Sequence, residues 1–197
     1  MKSDQMPEYT NYDEYLQNMG LILKDGASIL CLSPGMDATR PGPFCEERKT
    51  LVSANSVGAL RSIILTGSTQ FSMGTMGSIL RMAGDEFSIL RAKQMIETGK
   101  VEKGDVQGWL DCVKFDFGNW GYGIITAESI EDDKIIVKVD ECMSCAGMPN
   151  LNKPVCYYEG GRITGGLSEI TGEPWQFEEV NCWGMGDNFC RFEITKI

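Results

Sequence analysis

The sequence predicts an α+β domain in which an antiparallel sheet packs against helices. Three observations predict it. Apolar residues recur at three- and four-residue spacing through the middle of the chain, the repeat of one helix face. The period drops to two in IITAES, IIVKVD and NFCRFEITKI, as half-buried strands require. The strands come in two pairs, each joined by a short polar turn, and connections that short suit antiparallel neighbours.

Residues 1–50 read as an N-terminal extension. YDEYLQNMGLIL suits a short helix, GASILCL a strand, and SPGMDATRPGPFCEERKT a loop rich in proline, glycine and charge. Residues 51–197 read as the domain. LVSANSVGALRSIILTG has helical spacing and is expected to end at Gly67. Met73, Met76, Leu80, Ala83, Phe87 and Leu90 mark the inner face of a second helix, with Gly99 as its stop. Asp105 is placed to cap a third helix, DVQGWLDCVKF, because its carboxylate can accept the free amides of the first turn. WGYGIITAES and KIIVKVDEC are strands separated by EDD. KPVCYYEGGRITGGLSEITG reads as a helix despite four glycines that lower its propensity. Gly160, Gly161, Gly165 and Gly166 suit the close approach of another element. FEEVNCWG and NFCRFEITKI complete the sheet around the turn GMGDN.

The chain of 197 residues carries a net charge of −10, eight cysteines and no histidine. It has no basic cluster. That excludes direct nucleic-acid binding, which needs cations to displace phosphate counterions, and docking on an anionic membrane. No run of about 18 apolar residues is present to span a bilayer. The polar, acidic start has no apolar signal core, so the expectation is a cytoplasmic protein with reduced cysteines. Without histidine there is no Ser-His-Asp triad, Cys-His dyad or HExxH site. A phosphate-binding GxxxxGK[ST] loop is missing. Gly118, Gly121 and Gly123 follow no βαβ start and make no dinucleotide fingerprint. Acid–base chemistry by carboxylates stays open.

The cysteines carry the strongest chemical signal. In EEVNCWGMGDNFCRF, Cys182 and Cys190 sit on the two strands of a hairpin, and Glu179 lies three residues before the first. Strict alternation puts Glu179 on the opposite face, so its convergence with Cys182 needs a bulge or a twist. Cys156, at the start of the glycine-rich helix, could supply a fourth donor. Three thiolates and a carboxylate make a closed tetrahedral set suited to structural zinc. The spacing is not that of a standard zinc finger, and buried inert thiols explain it as well. ECMSCAGM adds a C-x2-C pair, Cys142 and Cys145. That pair could bind a second metal, ligate the iron of a tetrapyrrole, respond to redox state, or simply be buried. Cys112 falls on the apolar side of its helix and reads as core. Cys31 and Cys45 have no partner by spacing.

The stretch PVCYYEGGRITGGLSEITGEPWQFEEVNCWGMGDNFCRF resembles the C-terminal signature of the 4-vinyl reductase domain family. Upstream, GSILRMAGDEFSILRAKQMI and FGNWGYGIITAES resemble its small-residue helix and its GWG strand. The resemblance covers residues 51–197. It implies a ligand-binding α+β fold similar to a Golgi transport complex subunit and to haem-type nitric oxide sensors. In the family's phenol and xylene sensors it implies a structural zinc held by three cysteines and a glutamate. Those ligands fall here on Cys156, Glu179, Cys182 and Cys190. The histidine with which such sensors hold a phenolic hydroxyl has no counterpart. Trp120 and Phe177 match pocket aromatics.

The expectation is therefore a domain that senses or carries a small apolar or aromatic molecule and contains structural zinc. Its pocket is expected to be lined by Met76, Leu80, Phe87, Trp109, Trp120 and Phe177. The resemblance also implies a homodimer, placed through the Met73–Ile96 helix, with output to a separate downstream protein. One alternative is a tetrapyrrole- or metal-cofactor-handling enzyme or accessory protein using Cys142 and Cys145, with a tetrapyrrole or iron centre. Another is a protein-interaction module.

Overall fold

The structure, a computed structural model, describes residues 54–197. The extension expected for residues 1–50, with Cys31 and Cys45, lies outside the described residues. Four helices and four strands follow in the order α1 (Ala54–Phe71), α2 (Met73–Glu97), α3 (Val106–Asn119), β1 (Ile124–Ile130), β2 (Lys134–Asp140), α4 (Tyr157–Thr171), β3 (Trp175–Asn181) and β4 (Cys190–Lys196). The strands form one antiparallel sheet in the order β1-β2-β4-β3. This is the predicted α+β architecture.

Each boundary has a local cause. Gly67 does not stop α1, which runs on to Phe71. The break falls at Ser72, whose φ of 88° no helix can contain and whose hydroxyl accepts the Thr75 amide at 3.2 Å. Asp105 caps α3 as expected, accepting the Gly108 amide at 2.8 Å. Gly172, at φ 73°, ends α4 in the left-handed conformation that glycine adopts without a Cβ penalty.

The central strands bury alternate side chains. Ile135, Val137 and Val139 of β2 lie opposite Ile194, Phe192 and Cys190 of β4, and all six are fully buried. Ile163, Leu167 and Ile170 of α4 join the same core. Trp109 of α3 lies against Gly166, and its indole N–H donates to Ile163 O at 3.0 Å.

Helix α2 departs from expectation. Met76 and Leu80 are buried, but Ala83, Phe87 and Leu90 face outward. The buried stripe is instead Gly77, Gly84, Ser88, Ala92 and Met95. The cause is α4. A Cβ on Gly165 would sit 2.5 Å from Asp85 O, and one on Gly161 3.0 Å from Asp85 N. The two backbones touch, so α2 can turn only small residues into the seam. Ser88 Oγ donates to Gly161 O at 3.2 Å and Thr164 Oγ1 to Asp85 Oδ1 at 3.0 Å across it.

Candidate metal centre

Strand β2 delivers the first two donors. After Asp140 the chain turns at Glu141, φ 54°, into a single tight turn in which Ala146 N donates to Cys142 O at 2.8 Å. Cys142 and Cys145 stand on that turn. Arg61 of α1 holds it from outside the sheet. Its Nε and Nη2 donate to Met143 O at 3.3 and 3.2 Å, and Nη2 donates to Ala146 O at 2.6 Å. Because Val139 pairs with Cys190, the turn leaving β2 lies beside the first residue of β4.

The other donors arrive from three directions. Cys156 is the N-cap residue of α4. Glu179 stands on β3, and the β3–β4 register slips between Glu179 and Asn181. That irregularity supplies the departure from alternation that convergence with Cys182 requires. Cys182 follows β3 in extended conformation, and Asp187 accepts its amide at 2.9 Å.

All five sulfurs are fully buried and Glu179 is nearly so. Cys156 lies at their centre, 3.4 Å from the sulfur of Cys142, 3.2 Å from Cys145, 3.8 Å from Cys182 and 3.6 Å from Cys190. Cys145 and Cys190 are 3.2 Å apart. Two sets of four donors could each hold a metal ion, Cys156–Glu179–Cys182–Cys190 and Cys142–Cys145–Cys156–Cys190. The C-x2-C pair, which the sequence leaves as a separate candidate, therefore belongs to the same cluster. The signal for this was its place at the end of a strand that pairs with the strand of Cys190. That pairing is long-range and invisible to spacing.

The electrostatics suit a cation. Burial pushes the thiols of Cys145, Cys156 and Cys190 up, whereas hydrogen bonds from neighbouring thiols hold Cys142 and Cys182 down. Burial, and then the charge of Cys182, pushes the Glu179 carboxyl up. So many buried acids cannot all ionise unless a cation replaces their protons. Glu179 Oε2 accepts the Cys156 amide at 2.9 Å, while Oε1 is buried with no hydrogen-bond partner. A carboxylate oxygen buried among sulfurs without a donor is oriented as a metal ligand would be. Zinc, which takes thiolate and carboxylate donors in tetrahedral geometry, fits this donor set.

A further buried acid was not legible in the sequence. Glu159 accepts a hydrogen bond from Ser144 Oγ on the C-x2-C turn. Burial, and then the charge of Cys142, raises its pKa to about 8.

The six residues expected to line a pocket fall in three places. Met76, Leu80 and Trp109 are buried in the core. Phe87 and Trp120 meet edge to face and stack with Phe117 and Tyr122 around the Arg162 guanidinium, each ring centroid within 4.6–5.0 Å of it. Phe177 lines a cleft of about 340 Å³ with Gly77, Arg81, Tyr157, Glu178 and Glu179. A neighbouring cleft of about 630 Å³ between α1 and the 151–157 segment shares Gly74, Pro154 and Tyr157 with it.

Residues 135–196 match the model of the vinyl-4-reductase domain family, the family also written 4-vinyl reductase. The match takes in β2, α4 and the terminal hairpin, and with them every donor of the cluster. An uncharacterised Methanocaldococcus jannaschii protein is 32% identical over 76 residues, which are 39% of this chain and 47% of that one. A second protein of that organism is 31% identical over 72 residues, 36% of this chain and 42% of its own length. The chain thus spans under half the length of these curated relatives. Among solved structures, the phenol-responsive sensory domain of the transcription activator PoxR with phenol superposes with a TM-score of 0.58 at 17% identity, over 72% of this chain and 73% of that one. A trafficking protein particle complex subunit 3 from Naegleria fowleri, covalently bound to palmitic acid, gives 0.55 at 11% identity, over 73% and 93%. At such identities the fold is what these two structures share with the chain. No helix among the described residues is long and apolar enough to cross a membrane.

Proposed function

We propose that the protein binds a small apolar or aromatic molecule and couples its presence to a structural zinc centre. The observation that carries this reading is the wall shared by cleft and centre. Tyr157, Phe177 and Glu179 line the cleft, while Cys156, next to Tyr157, and Glu179 itself are donors. A molecule seated on Tyr157 and Phe177 pushes directly on the segment that carries the metal. Zinc joins the start of α4 to β3 and β4, so a shift at either is felt at the other. When bound, it supplies a fixed tetrahedral junction and no open coordination position for chemistry. The vinyl-4-reductase family match and the likeness to a phenol-responsive domain and to an acyl-bound subunit support a ligand of this class. The Cys142/Cys145 pair is packed against other thiols with no exposed face. That favours a bare ion over ligation of a tetrapyrrole iron.

The same reading includes a homodimer through α2. Its outer face leaves Met82 62% and Leu90 59% exposed, with Ile79 beside them. A helix face this apolar is commonly covered by another chain. Met82→Glu should shift the sedimentation coefficient to that of a monomer, and an unchanged value would remove the α2 interface from the proposal.

The test of ligand binding uses phenol and palmitic acid as aromatic and acyl probes. The full chain is expected to bind one of them and to melt at higher temperature when bound. Phe177→Ala, with its metal content unchanged, should lose that shift. No stabilisation of the wild type by either probe, or full retention in the variant, would reject the cleft as the ligand site.

A further inference from the structure

The cluster holds more donors than one ion can use. A tetrahedral ion takes four, yet five sulfurs and the Glu179 carboxylate are gathered and buried together. If only Cys156, Glu179, Cys182 and Cys190 bound metal, Cys142 and Cys145 would remain as thiols with no exposure, pressed against metal-bound sulfurs at 3.2–3.4 Å. If only the four cysteines Cys142, Cys145, Cys156 and Cys190 bound it, Cys182 would be left over, and so would Glu179 with its unpartnered oxygen.

The two sets overlap in two residues, Cys156 and Cys190. Two tetrahedra that share one edge need six donors, of which two bridge. Six are present, and the two common to both sets are both thiolate-forming, the side chains able to bridge two soft or borderline ions. With metal–sulfur bonds of about 2.3 Å, a tetrahedral edge is about 3.8 Å. The shared pair is 3.6 Å apart. On one side Cys145 stands 3.2 Å from each bridging sulfur and Cys142 3.4 Å from Cys156. On the other, Cys182 stands 3.8 Å from Cys156. Sulfur ligands of a cubic iron–sulfur cluster, each on its own iron, stand much further apart than any of these.

We propose that the centre is dinuclear. One divalent ion of the zinc class is held by Cys142, Cys145, Cys156 and Cys190, the second by Cys156, Cys190, Cys182 and Glu179, with Cys156 and Cys190 as bridging thiolates. Charge favours two ions over one. Five thiolates and a carboxylate carry six negative charges; two divalent ions leave two, where a single ion would leave four or force protons to stay on buried sulfur. Each thiol releases its proton to solvent as its ion binds. Arg61, fixed to the Met143 and Ala146 carbonyls, sets a positive charge on the turn that carries the first pair. This inference rests on the zinc reading above and extends it to a second ion.

The test is metal stoichiometry of the full chain, purified under reducing conditions, by elemental analysis and native mass spectrometry. Two ions per chain are expected for the wild type and one for the double variant Cys142→Ser/Cys145→Ser. Cobalt titration of metal-free wild type should raise thiolate-to-metal charge-transfer absorbance up to two equivalents. With cadmium-113, two resonances split by mutual coupling are expected, since shared sulfurs transmit it. One ion in the wild type, retained by the double variant, would overturn the dinuclear centre and leave the zinc reading standing. Two ions retained by the double variant would also overturn it, by placing the second ion elsewhere. No metal in the wild type would overturn both readings.

Discussion

At one end of α4, five sulfurs and a carboxylate crowd around Cys156; one to two turns further along the same helix, Gly161 and Gly165 let α2 come so near that backbone meets backbone. The two regions solve the same problem of joining α4 to the rest of the fold by opposite means. The seam removes side chains and relies on dispersion at contact distance, with Ser88 and Thr164 bonding across it. The sulfur end keeps polar, ionisable side chains and needs an outside cation to make their burial tolerable. One junction is complete in the chain itself; the other depends on what the chain binds.

The largest effect is expected from breaking the seam. Gly165→Leu drives a side chain into Asp85 O and Ser88 Oγ, atoms that a Cβ alone would meet at 2.5 Å. Overpacking a flexible core costs about 1–3 kcal/mol, and here the obstacle is partly backbone, so the cost should exceed about 4 kcal/mol. Circular dichroism should show no cooperative melt at any metal concentration. A variant melting within a few degrees of the wild type would show that the helices can separate cheaply.

Removing the cation should hurt less, because the seam and sheet stay. Cys190→Ser, or a chelator, should release metal and cost on the order of 4 kcal/mol, the range that loss of a structural metal reaches. For a chain of this size that is a fall in Tm of about 10 °C. Wild-type and variant chains with equal Tm and equal metal content would mean the sulfurs are inert core.

The contrast also explains what could be read from the sequence. The hairpins, the Asp105 cap and the glycine-rich α4 were legible because each depends on neighbours a few residues away. The outward turn of Phe87 and Leu90 was not. The apolar period of α2 competes with a small-residue period, and only the approach of α4 decides between them. The donors Glu179, Cys182 and Cys190 were legible as a local pattern, with the register slip anticipated. The membership of Cys142 and Cys145 was hidden in the pairing of β2 with β4, and Arg61 and Glu159 gave only the weak signal of charges inside apolar segments. The pocket residues scatter for a related reason, since helical spacing shows which side chains face inward but not whether a cavity lies there.

Glu159 sharpens the comparison through pH. Its pKa, about 8 in the folded chain, lies above the ordinary carboxyl value of 4.5. The folded state therefore keeps a proton that the unfolded chain has lost, and stability from this group falls as pH rises from about 4.5 to about 8, then levels off. Glu159→Gln has no such loss. At fixed metal concentration, the stability of the variant relative to wild type should rise across that window, by on the order of 2 kcal/mol. That is less than the bare shift implies, because an ionised Glu159 can draw water to itself. Following the difference between the two chains cancels the opposite pH trend of metal binding. A pH-independent difference would mean that Glu159 is ionised in the folded protein, with a cation nearer than Arg162 to stabilise it.

The smallest change is expected at Arg61. Arg61→Lys keeps the positive charge but cannot reproduce a planar fork that reaches both Met143 O and Ala146 O. Losing one such bond costs about 1 kcal/mol, a shift in Tm of only a few degrees. The informative readout is local. In metal-free protein, alkylation of Cys142 and Cys145 should speed up in the variant while Cys156, fixed by the start of α4, keeps its rate. If all the cluster cysteines speed up together, the turn is not a separate clasp on the centre, and the sulfur end opens as one unit, in the way the seam is expected to fail.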